Sequence, residues 1–361
     1  MTEKENTEAK SYESHLKEER YYYAPPDFVG QANCTDVNIY DRFTLDKFPE
    51  CYKEFADLLD WDKYWHTTLD TSDAPCWKWF SGGKLNACYN CLDRHLDSHR
   101  NKAAIHFVPE PEGERIEHIT YQELYRRVNE TAAVLRDFAG LKAGDRVTLH
   151  LPMTPELPIT MLACARLGVI HCQVFAGFSG KATGDRIADS ESEVLITQDS
   201  FYRSGKLLDH KEKADEAVQA AKNQGQEVKK VLIWNRYNGQ YNSSTSLVEG
   251  RDHLMDDLLS KYSRSEIEPV SMPAEDILFL MYTSGSTGKP KGCQHSIGGY
   301  LSYVAWMSKN VQDIQPNDVY WCMADIGWIT GHSFIVYGPL AVAASTVIYE
   351  GLPTYPDAGR P

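Results

Sequence analysis

The sequence has no excess of positive charge, which excludes one broad class of function. Its 361 residues include 37 lysines and arginines against 51 aspartates and glutamates, so the net charge is −14 and the pI is about 5.3. A general nucleic-acid-binding protein needs a basic face that meets the phosphate backbone. We therefore expect small-molecule partners and no nucleic acid, with any phosphate ligand held by a local positive site in an acidic surface.

No segment offers the roughly 20 continuous apolar residues that a membrane-spanning helix requires. The stretch 157–178 is largely apolar but contains Arg166, and the stretch 334–349 is interrupted by Gly338 and Pro339. Residues 1–20 are strongly charged and lack the apolar core of a secretory signal, so we interpret them as a polar tail. The sequence thus predicts a cytoplasmic protein with no membrane partner, and it leaves the oligomeric state open.

The nine cysteines do not follow the pattern of a disulfide-rich fold. Their number is odd, the chain is long and no secretory signal precedes them. Cys88 and Cys91, followed by His95, have a metal-like spacing, but a structural zinc site needs four ligands and no second pair completes this one. We expect buried thiols at these positions and no metal.

Three familiar catalytic or nucleotide-binding motifs are also missing. The G-x-G-x-x-G dinucleotide fingerprint does not occur. A nucleophile elbow that begins at Gly177 lacks its second glycine. The Walker A spacing fails because only two residues separate Gly285 from Gly288, and Lys289 is followed by Pro290. No catalytic triad can be argued, and a P-loop phosphotransferase becomes a remote alternative.

Beyond residue 117 the sequence alternates between strand and helix patterns. A capping box at Thr120 and Glu123 begins an amphipathic helix that Gly140 ends. Period and length predict further helices over 155–168, 209–223 and 295–309, and strands over 146–151, 169–175, 194–197, 228–234, 277–282, 319–323 and 346–349. This alternation implies an α/β fold with a mostly parallel sheet flanked by helices.

The segment Tyr282–Gly292 contains the residues with the clearest chemistry. Directly after five apolar strand residues it combines four hydroxyl residues, three glycines and two lysines. Glycines let backbone N–H groups approach an anion closely, hydroxyls add donors and lysines supply charge. A surface linker would not directly follow a buried strand. We therefore interpret this segment as a polyphosphate-binding loop.

This loop resembles the phosphate-binding signature of the adenylate-forming (ANL) superfamily. The rest of the chain resembles the AMP-forming acetate–CoA ligases (acetyl-CoA synthetases) of that superfamily, from about residue 21 to the last residue. The matching segments occur in the family's order: Trp79–Asn86, Tyr89–His95, Met153–Pro158, Val174–Ser179, Ala324–Ser333, Tyr337–Leu340 and Tyr349–Pro353. The resemblance implies an N-terminal wrapping segment over 21–95 and an ANL-type AMP-binding domain over 96–361, truncated before its C-terminal half.

The resemblance also implies a two-step reaction that uses ATP, CoA and Mg²⁺. Acetate attacks the α-phosphorus of ATP, which releases diphosphate and leaves acetyl-adenylate; the CoA thiol then displaces AMP. A carboxylate is already a nucleophile, so the first step needs positioning and charge neutralisation rather than a general base. The floor of the acetate pocket and the mobile C-terminal domain are expected beyond residue 361, so the 361-residue chain alone is expected to be inactive.

Site residues follow from the resemblance position by position. The clamp on the β- and γ-phosphates comprises Thr283, Ser284, Gly285, Ser286, Thr287, Gly288, Lys289 and Lys291, with Thr283 and Lys291 expected to be catalytic. The acyl pocket comprises Trp328, Ile329 and Thr330. The CoA site comprises Arg203, Ser204, Gly205, Lys206, Thr330 and Thr354. Where many members have a second arginine this chain has Lys206, which offers a point charge but no bidentate fork.

Two alternatives stay open at this point. A propionate or other short-chain acyl-CoA ligase would share these motifs and differ in the missing pocket floor. A non-catalytic CoA- or nucleotide-binding module is the alternative if the chain truly ends at residue 361.

Overall fold

A computed structural model of the chain describes residues 22–283 and 290–360. The chain divides into two compact units, residues 1–37 and 38–361. The described part of the first unit contains a short helix, α1 (Pro26–Gln31). Across the described ranges, no helix combines the length and the apolar character needed to cross a membrane.

The second unit contains the remaining strands and helices. Its strands are β1 (Thr67–Asp70), β2 (Lys78–Ser81), β3 (Lys84–Leu85), β4 (Ala103–Val108), β5 (Glu117–Thr120), β6 (Arg146–His150), β7 (Ile170–Gln173), β8 (Val194–Gln198), β9 (Ser200–Arg203), β10 (Lys206–Asp209), β11 (Lys230–Trp234), β12 (Asp252–Leu254), β13 (Met272–Pro273), β14 (Ile277–Thr283), β15 (Lys291–Ser296), β16 (Val319–Tyr320) and β17 (Ser345–Tyr349). Its α-helices are α2 (Lys53–Ala56), α3 (Ala87–Cys91), α4 (Leu96–His99), α5 (Tyr121–Ala133), α6 (Glu156–Leu167), α7 (Gly180–Ser190), α8 (Lys211–Lys222), α9 (Met255–Lys261), α10 (Ile297–Trp306), α11 (Ile329–Gly331) and α12 (Gly338–Ala341). Shorter 3-10 or π-helical segments cover Ile39–Arg42, Glu50–Tyr52, Asp93–His95, Val134–Phe138, Met307–Val311 and His332–Tyr337.

The main sheet has the strand order β12-β11-β8-β6-β7-β14-β15. Neighbouring strands from β12 to β14 are parallel, and β15 runs antiparallel beside β14. A second sheet has the order β16-β17-β4-β5, with parallel pairs except β4–β5. The predicted α/β class with a mostly parallel sheet is confirmed.

Helices cover both faces of the main sheet. Successive residues of a strand point to opposite faces, and in β8 Leu195 belongs to one apolar cluster with Ile187 and Ala217 of α7 and α8, whereas Ile196 belongs to another with Leu162 of α6. Each fully buried aliphatic side chain contributes about 1.5–3 kcal/mol relative to exposure. Burial on both faces explains why these strands are nearly continuous apolar runs.

The helix start predicted at Thr120 is confirmed, because its Oγ1 accepts the N–H of Glu123 at 3.2 Å. The helix predicted over 295–309 is wrong at its start, since His295 lies in β15 and α10 begins at Ile297. Strand β15 is polar and largely exposed, so it lacks the apolar signature by which the other strands were predicted. The strand predicted over 319–323 is correct only for Val319 and Tyr320.

The thiols of Cys88 and Cys91 are buried and bonded within the protein. Arg166 Nη1 donates to Cys88 Sγ at 3.6 Å, and Cys91 Sγ donates to the Tyr337 carbonyl at 3.5 Å. Burial raises the pKa of Cys88 to about 12, so its thiol stays protonated at neutral pH. Within the part of the chain that the structure describes, no three His, Cys, Asp or Glu residues are grouped as they would be around a metal ion.

Candidate active site

The end of β14 and the start of β15 border the predicted polyphosphate loop. Thr283, the last residue of β14, pairs in register with Lys291, the first residue of β15, and both side chains are exposed. Ligands of open α/β sheets bind outside the carboxyl ends of the parallel strands, which is where β14 ends. The rest of the predicted clamp lies outside the described residues: Ser284, Gly285, Ser286, Thr287, Gly288 and Lys289.

Tyr282, one residue before Thr283, is anchored to helix α7. Its Oη donates a hydrogen bond to Asp189 Oδ2 at 2.6 Å. Burial and this hydrogen bond raise the pKa of Tyr282 well above its usual range, so the hydroxyl remains a donor. Gly292 stands opposite in β15, where a Cβ atom would lie only 3.3 Å from the Tyr282 ring. Glycine at this position therefore leaves room for the anchored ring.

Trp328 forms part of the wall of a small cavity of about 180 Å³. Other lining residues include Met153, Phe175, Arg203, Asp325 and Leu352. The rings of Trp328 and Phe175 have centroids 5.9 Å apart. Ile329 and Thr330, also predicted for the acyl pocket, follow Trp328 in α11 with exposed side chains. The exposed fraction of Trp328 is 48%, so one side of this wall faces outward.

The residues predicted for the CoA site lie in a tight hairpin between β9 and β10. Ser204 and Gly205 adopt positive φ angles of 52° and 74°. Their N–H groups donate to the two carboxylate oxygens of Glu110, at 2.9 and 2.8 Å. Because these amides are already bonded, an anionic ligand at this turn would meet the side chains of Arg203 and Lys206 instead. Lys206 is exposed.

This hairpin adjoins both the Trp328 cavity and the segment after β17. The guanidinium of Arg203 lies over the Phe175 ring, 5.7 Å from its centroid. Gly205 lies against Tyr355, so closely that a Cβ atom would clash with the tyrosine Oη. The exposed Thr354 precedes this tyrosine. The structure thus places Arg203 and Trp328 on one cavity, with Thr354 next in the chain to Tyr355, which contacts the hairpin.

A buried ionic network supports the same hairpin. Glu350, fully buried, accepts hydrogen bonds from Arg236 Nε at 2.8 Å and Nη2 at 2.6 Å. It also accepts the backbone N–H groups of Tyr202 at 3.3 Å and Glu110 at 3.2 Å. Arg236 Nη2 donates as well to Glu114 at 2.7 Å. Sequence reasoning missed this network, although a charged residue directly after an apolar strand, as at Glu350, is a usable signal.

Asp325 is a second missed residue, and it lines the cavity beside Trp328. Burial raises the pKa of its carboxyl group to about 6, while the N–H of Gly327, which donates at 2.7 Å, and the charge of Arg203 oppose the shift. Asp325 therefore titrates near neutral pH. The Asp-x-Gly spacing, typical of a turn in which the aspartate caps an N–H group, was the available signal.

Two side chains connect the Trp328 cavity with the β14 strand end. The ring of Phe178 lies 6.2 Å from that of Trp328. The guanidinium of Arg186 lies over Phe178 at 4.8 Å and over Tyr282 at 5.5 Å. Contacts therefore run without a break from the predicted acyl pocket to the residue before Thr283.

Comparison with known proteins matches almost the whole second unit. Residues 92–361 match the family described as AMP-binding enzyme, and residues 39–91 match the acetyl-coenzyme A synthetase N-terminus. The acetyl-coenzyme A synthetase of Wolinella succinogenes is 49% identical over 304 residues, which are 84% of this chain and 45% of that protein. Those of Pasteurella multocida (43% identical, 97% of this chain, 52% of that protein) and Ralstonia pickettii (45%, 96% and 52%) are similar to nearly all of it. The chain spans about half the length of the curated relatives it matches.

Proposed function

We propose, from the premise that this chain belongs to the family of AMP-binding enzymes, that the protein of which it is the N-terminal portion is an AMP-forming acetate–CoA ligase. The reaction is ATP + acetate + CoA giving acetyl-CoA, AMP and diphosphate. The observation that carries the proposal is the continuous packing between the Trp328 cavity and the strand end at Thr283. That packing supports an acid and a triphosphate bound side by side.

In the first half-reaction, an acetate oxygen forms a bond to the α-phosphorus of ATP as the bond to diphosphate breaks. We assign Thr283 and Lys291, with the intervening loop, to the β- and γ-phosphates. A lysine charge and hydroxyl donors would stabilise the negative charge that develops on the departing diphosphate. Mg²⁺ would enter with ATP as part of the substrate and neutralise phosphate charge. The residues of this chain would hold acetate and the triphosphate of ATP close together despite the repulsion between their negative charges.

We assign the Trp328 cavity to the acyl group. Its volume of about 180 Å³ and its walls of Trp328, Phe175 and Met153 favour a short apolar chain. In the second half-reaction, the CoA thiol attacks the acetyl carbon and AMP leaves. We assign Arg203 and Lys206 to the nucleotide phosphates of CoA, since the amides of the intervening turn are bonded to Glu110. Thr330 and Thr354 are assigned to the path of its pantetheine arm.

Acetate-dependent exchange of radioactive diphosphate into ATP tests the first half-reaction. It is measured on the complete protein that contains this chain. Lys291→Ala should lower the exchange rate about 100-fold, the loss expected when one positioned donor to a developing anion is removed. Lys222→Ala, which removes an exposed lysine of α8, is the matched control and should leave the rate unchanged. Normal exchange in Lys291→Ala would remove the assignment of the loop.

The same assay with acids of two to four carbons decides the acyl preference. Acetate should be the best substrate, because the Trp328 cavity is small and one methylene group more or less in an acyl pocket changes the selectivity by about 10-fold or more. Higher exchange with propionate would reassign the protein to that substrate. Binding of CoA or ATP without any acid-dependent exchange would indicate a non-catalytic binding protein.

A further inference from the structure

Arg186 of helix α7 is a buried cation with unusual surroundings. Its exposed fraction is 8%, and its guanidinium lies between the rings of Phe178 and Tyr282, at 4.8 and 5.5 Å. Its Nη1 donates to the Ala182 carbonyl of the same helix at 2.6 Å. Within the described ranges, no carboxylate forms an ion pair with it at salt-bridge distance. Burial lowers the pKa of Arg186, because transfer of the guanidinium charge out of water is unfavourable.

The two rings on either side of Arg186 belong to different parts of the candidate site. Phe178 packs against Trp328 of the predicted acyl pocket. Tyr282 is the residue before Thr283, where the phosphate loop begins. Asp189, three residues after Arg186 and thus on the same helix face, accepts the hydroxyl of Tyr282. One face of α7 therefore contacts Tyr282 twice, through the cation over its ring and through the hydrogen bond from its hydroxyl.

We propose that Arg186 is a positioning residue: held between Phe178 and Tyr282, it fixes the end of β14 from which the phosphate loop departs and joins it to the Trp328 wall. A cation over an aromatic face is attracted by the negative charge of the ring face, more strongly when it is shielded from water, and here one cation contacts two rings. Without it, Tyr282 keeps its hydroxyl bond to Asp189 and its packing against Cys172 and Val174 but loses the contact between its ring and a cation, so the paired residues Thr283 and Lys291 lose part of their support. The effect on ATP binding rests on the proposed function; the effect on the strand end does not.

Two substitutions separate positioning by charge from simple space filling. Arg186→Lys keeps a cation between the rings but loses the planar fork, whereas Arg186→Met keeps an unbranched stem and loses the charge. If Arg186 only fills space, the Arg186→Met and Arg186→Lys variants should have equally stable strand ends. If the cation positions the strand end, Arg186→Lys should keep most of the stability there that Arg186→Met loses.

Amide hydrogen exchange on the complete protein that contains this chain provides the test, with peptides from β8 as the internal reference. Local opening of the strand end sets its exchange rate. In Arg186→Met, the amides of the paired strand-end residues 282, 283, 291 and 292 should exchange about 10-fold faster than in the wild type, an increase consistent with losing one or two cation–π contacts. In Arg186→Lys the increase should be about 2-fold or less, and β8 should be unchanged in both. The inference would be overturned if Arg186→Met and the wild type had equal amide exchange rates at these residues, or if Arg186→Met and Arg186→Lys accelerated exchange equally.

If Arg186→Met does not fold, a second variant tests the same inference. Phe178→Leu removes the other ring and leaves every residue of β14 and β15 intact. It should also accelerate amide exchange at residues 282, 283, 291 and 292, and no change there overturns the inference. Diphosphate exchange of the complete protein is measured in parallel. If the wild type shows no acetate-dependent diphosphate exchange, the proposed function fails, while the amide hydrogen exchange data still decide the role of Arg186. If the wild type does show it, Arg186→Met should raise the KM for ATP more than the KM for CoA.

Discussion

Two hairpins present the basic residues of the candidate site, and different interactions support them. The β9–β10 hairpin, with Arg203 and Lys206, is held by buried charges, since Glu110 binds its turn amides and Glu350 binds its strand. The β14–β15 pair, with Lys291, is held through Tyr282 by aromatic and cation–π packing and one hydrogen bond. The first support consists of buried carboxylates that bind backbone amides and an arginine, whereas the second combines ring packing with one cation and one hydrogen bond.

The difference bears on which groups each hairpin offers for the anion binding proposed above. A turn whose N–H groups are satisfied by a carboxylate has no amides left for a phosphate, so recognition falls to its flanking cationic side chains. A glycine- and hydroxyl-rich loop beside an exposed lysine offers side chains and, by its composition, backbone donors as well. We therefore expect the β9–β10 hairpin to hold its two cationic side chains rigidly, and the predicted phosphate loop to depend on the support of its strand ends.

Breaking the ionic support should have the largest effect on stability. Glu350→Gln leaves Arg236 buried without its main counter-charge, and loss of one partner of a buried pair typically costs about 3–5 kcal/mol. Because Glu114 still contacts Arg236, we expect a loss of about 3 kcal/mol in the free energy of unfolding, measured by urea titration. Glu249→Gln, at an exposed glutamate, is the control. Equal midpoints for Glu350→Gln and wild type would mean that Glu114 alone suffices.

The rigidity of the β9–β10 hairpin is tested by Gly205→Ala. The new Cβ would clash with Tyr355 Oη, and the φ of +74° is unfavourable for alanine. The left-handed conformation costs about 1–2 kcal/mol for an L-residue, and the clash adds to this, so the total should reach about 2–3 kcal/mol.

Gly225→Ala is the matched control for that experiment. Its φ is +87°, but nothing lies within 4 Å of the new Cβ. It should therefore show the conformational cost alone. If the two variants unfold at the same urea concentration, the contact between Gly205 and Tyr355 contributes nothing, and the hairpin is less constrained than the comparison requires.

The sequence was sufficient for the parts of the molecule in which local pattern and burial agree. The parallel strands β6, β7, β8, β11 and β14 lie where strands were predicted, and helix α5 begins at the Thr120 cap that the capping box predicted. The short strand β12 (Asp252–Leu254), which begins with two polar residues, was not predicted. The order of the motifs also predicted the family. These features are local, so a short stretch of sequence contains the information that determines them.

The remaining features depend on residues far apart in the chain. Glu110 and Gly205 are separated by 95 positions, and Arg236 and Glu350 by 114; no periodicity connects such pairs. Strand β15 was missed because its polar residues are paired on one side only, in register with β14. The position of Asp325 beside Arg203 likewise became visible only once the strands were assembled.

Asp325 gives the smallest and most specific test of the comparison, since its carboxyl group is coupled to Arg203 of the ionic hairpin. Its pKa of about 6 lies above the ordinary value of 3.8. Between these values the folded protein holds a proton that the unfolded chain has released, so this group makes stability fall as pH rises from about 4 to about 6. Asp325→Asn keeps an acceptor for the N–H of Gly327 but does not titrate. The variant should therefore gain about 1–2 kcal/mol relative to the wild type between pH 4 and pH 7, measured by urea unfolding at each pH. The control is Asp57→Asn at an exposed aspartate, whose unfolding free energy should follow that of the wild type at every pH. If the unfolding free energy of Asp325→Asn also follows the wild type, the Asp325 carboxyl group is hydrated in the cavity. The surroundings of the β9–β10 hairpin would then be more open to water than those of strand β14.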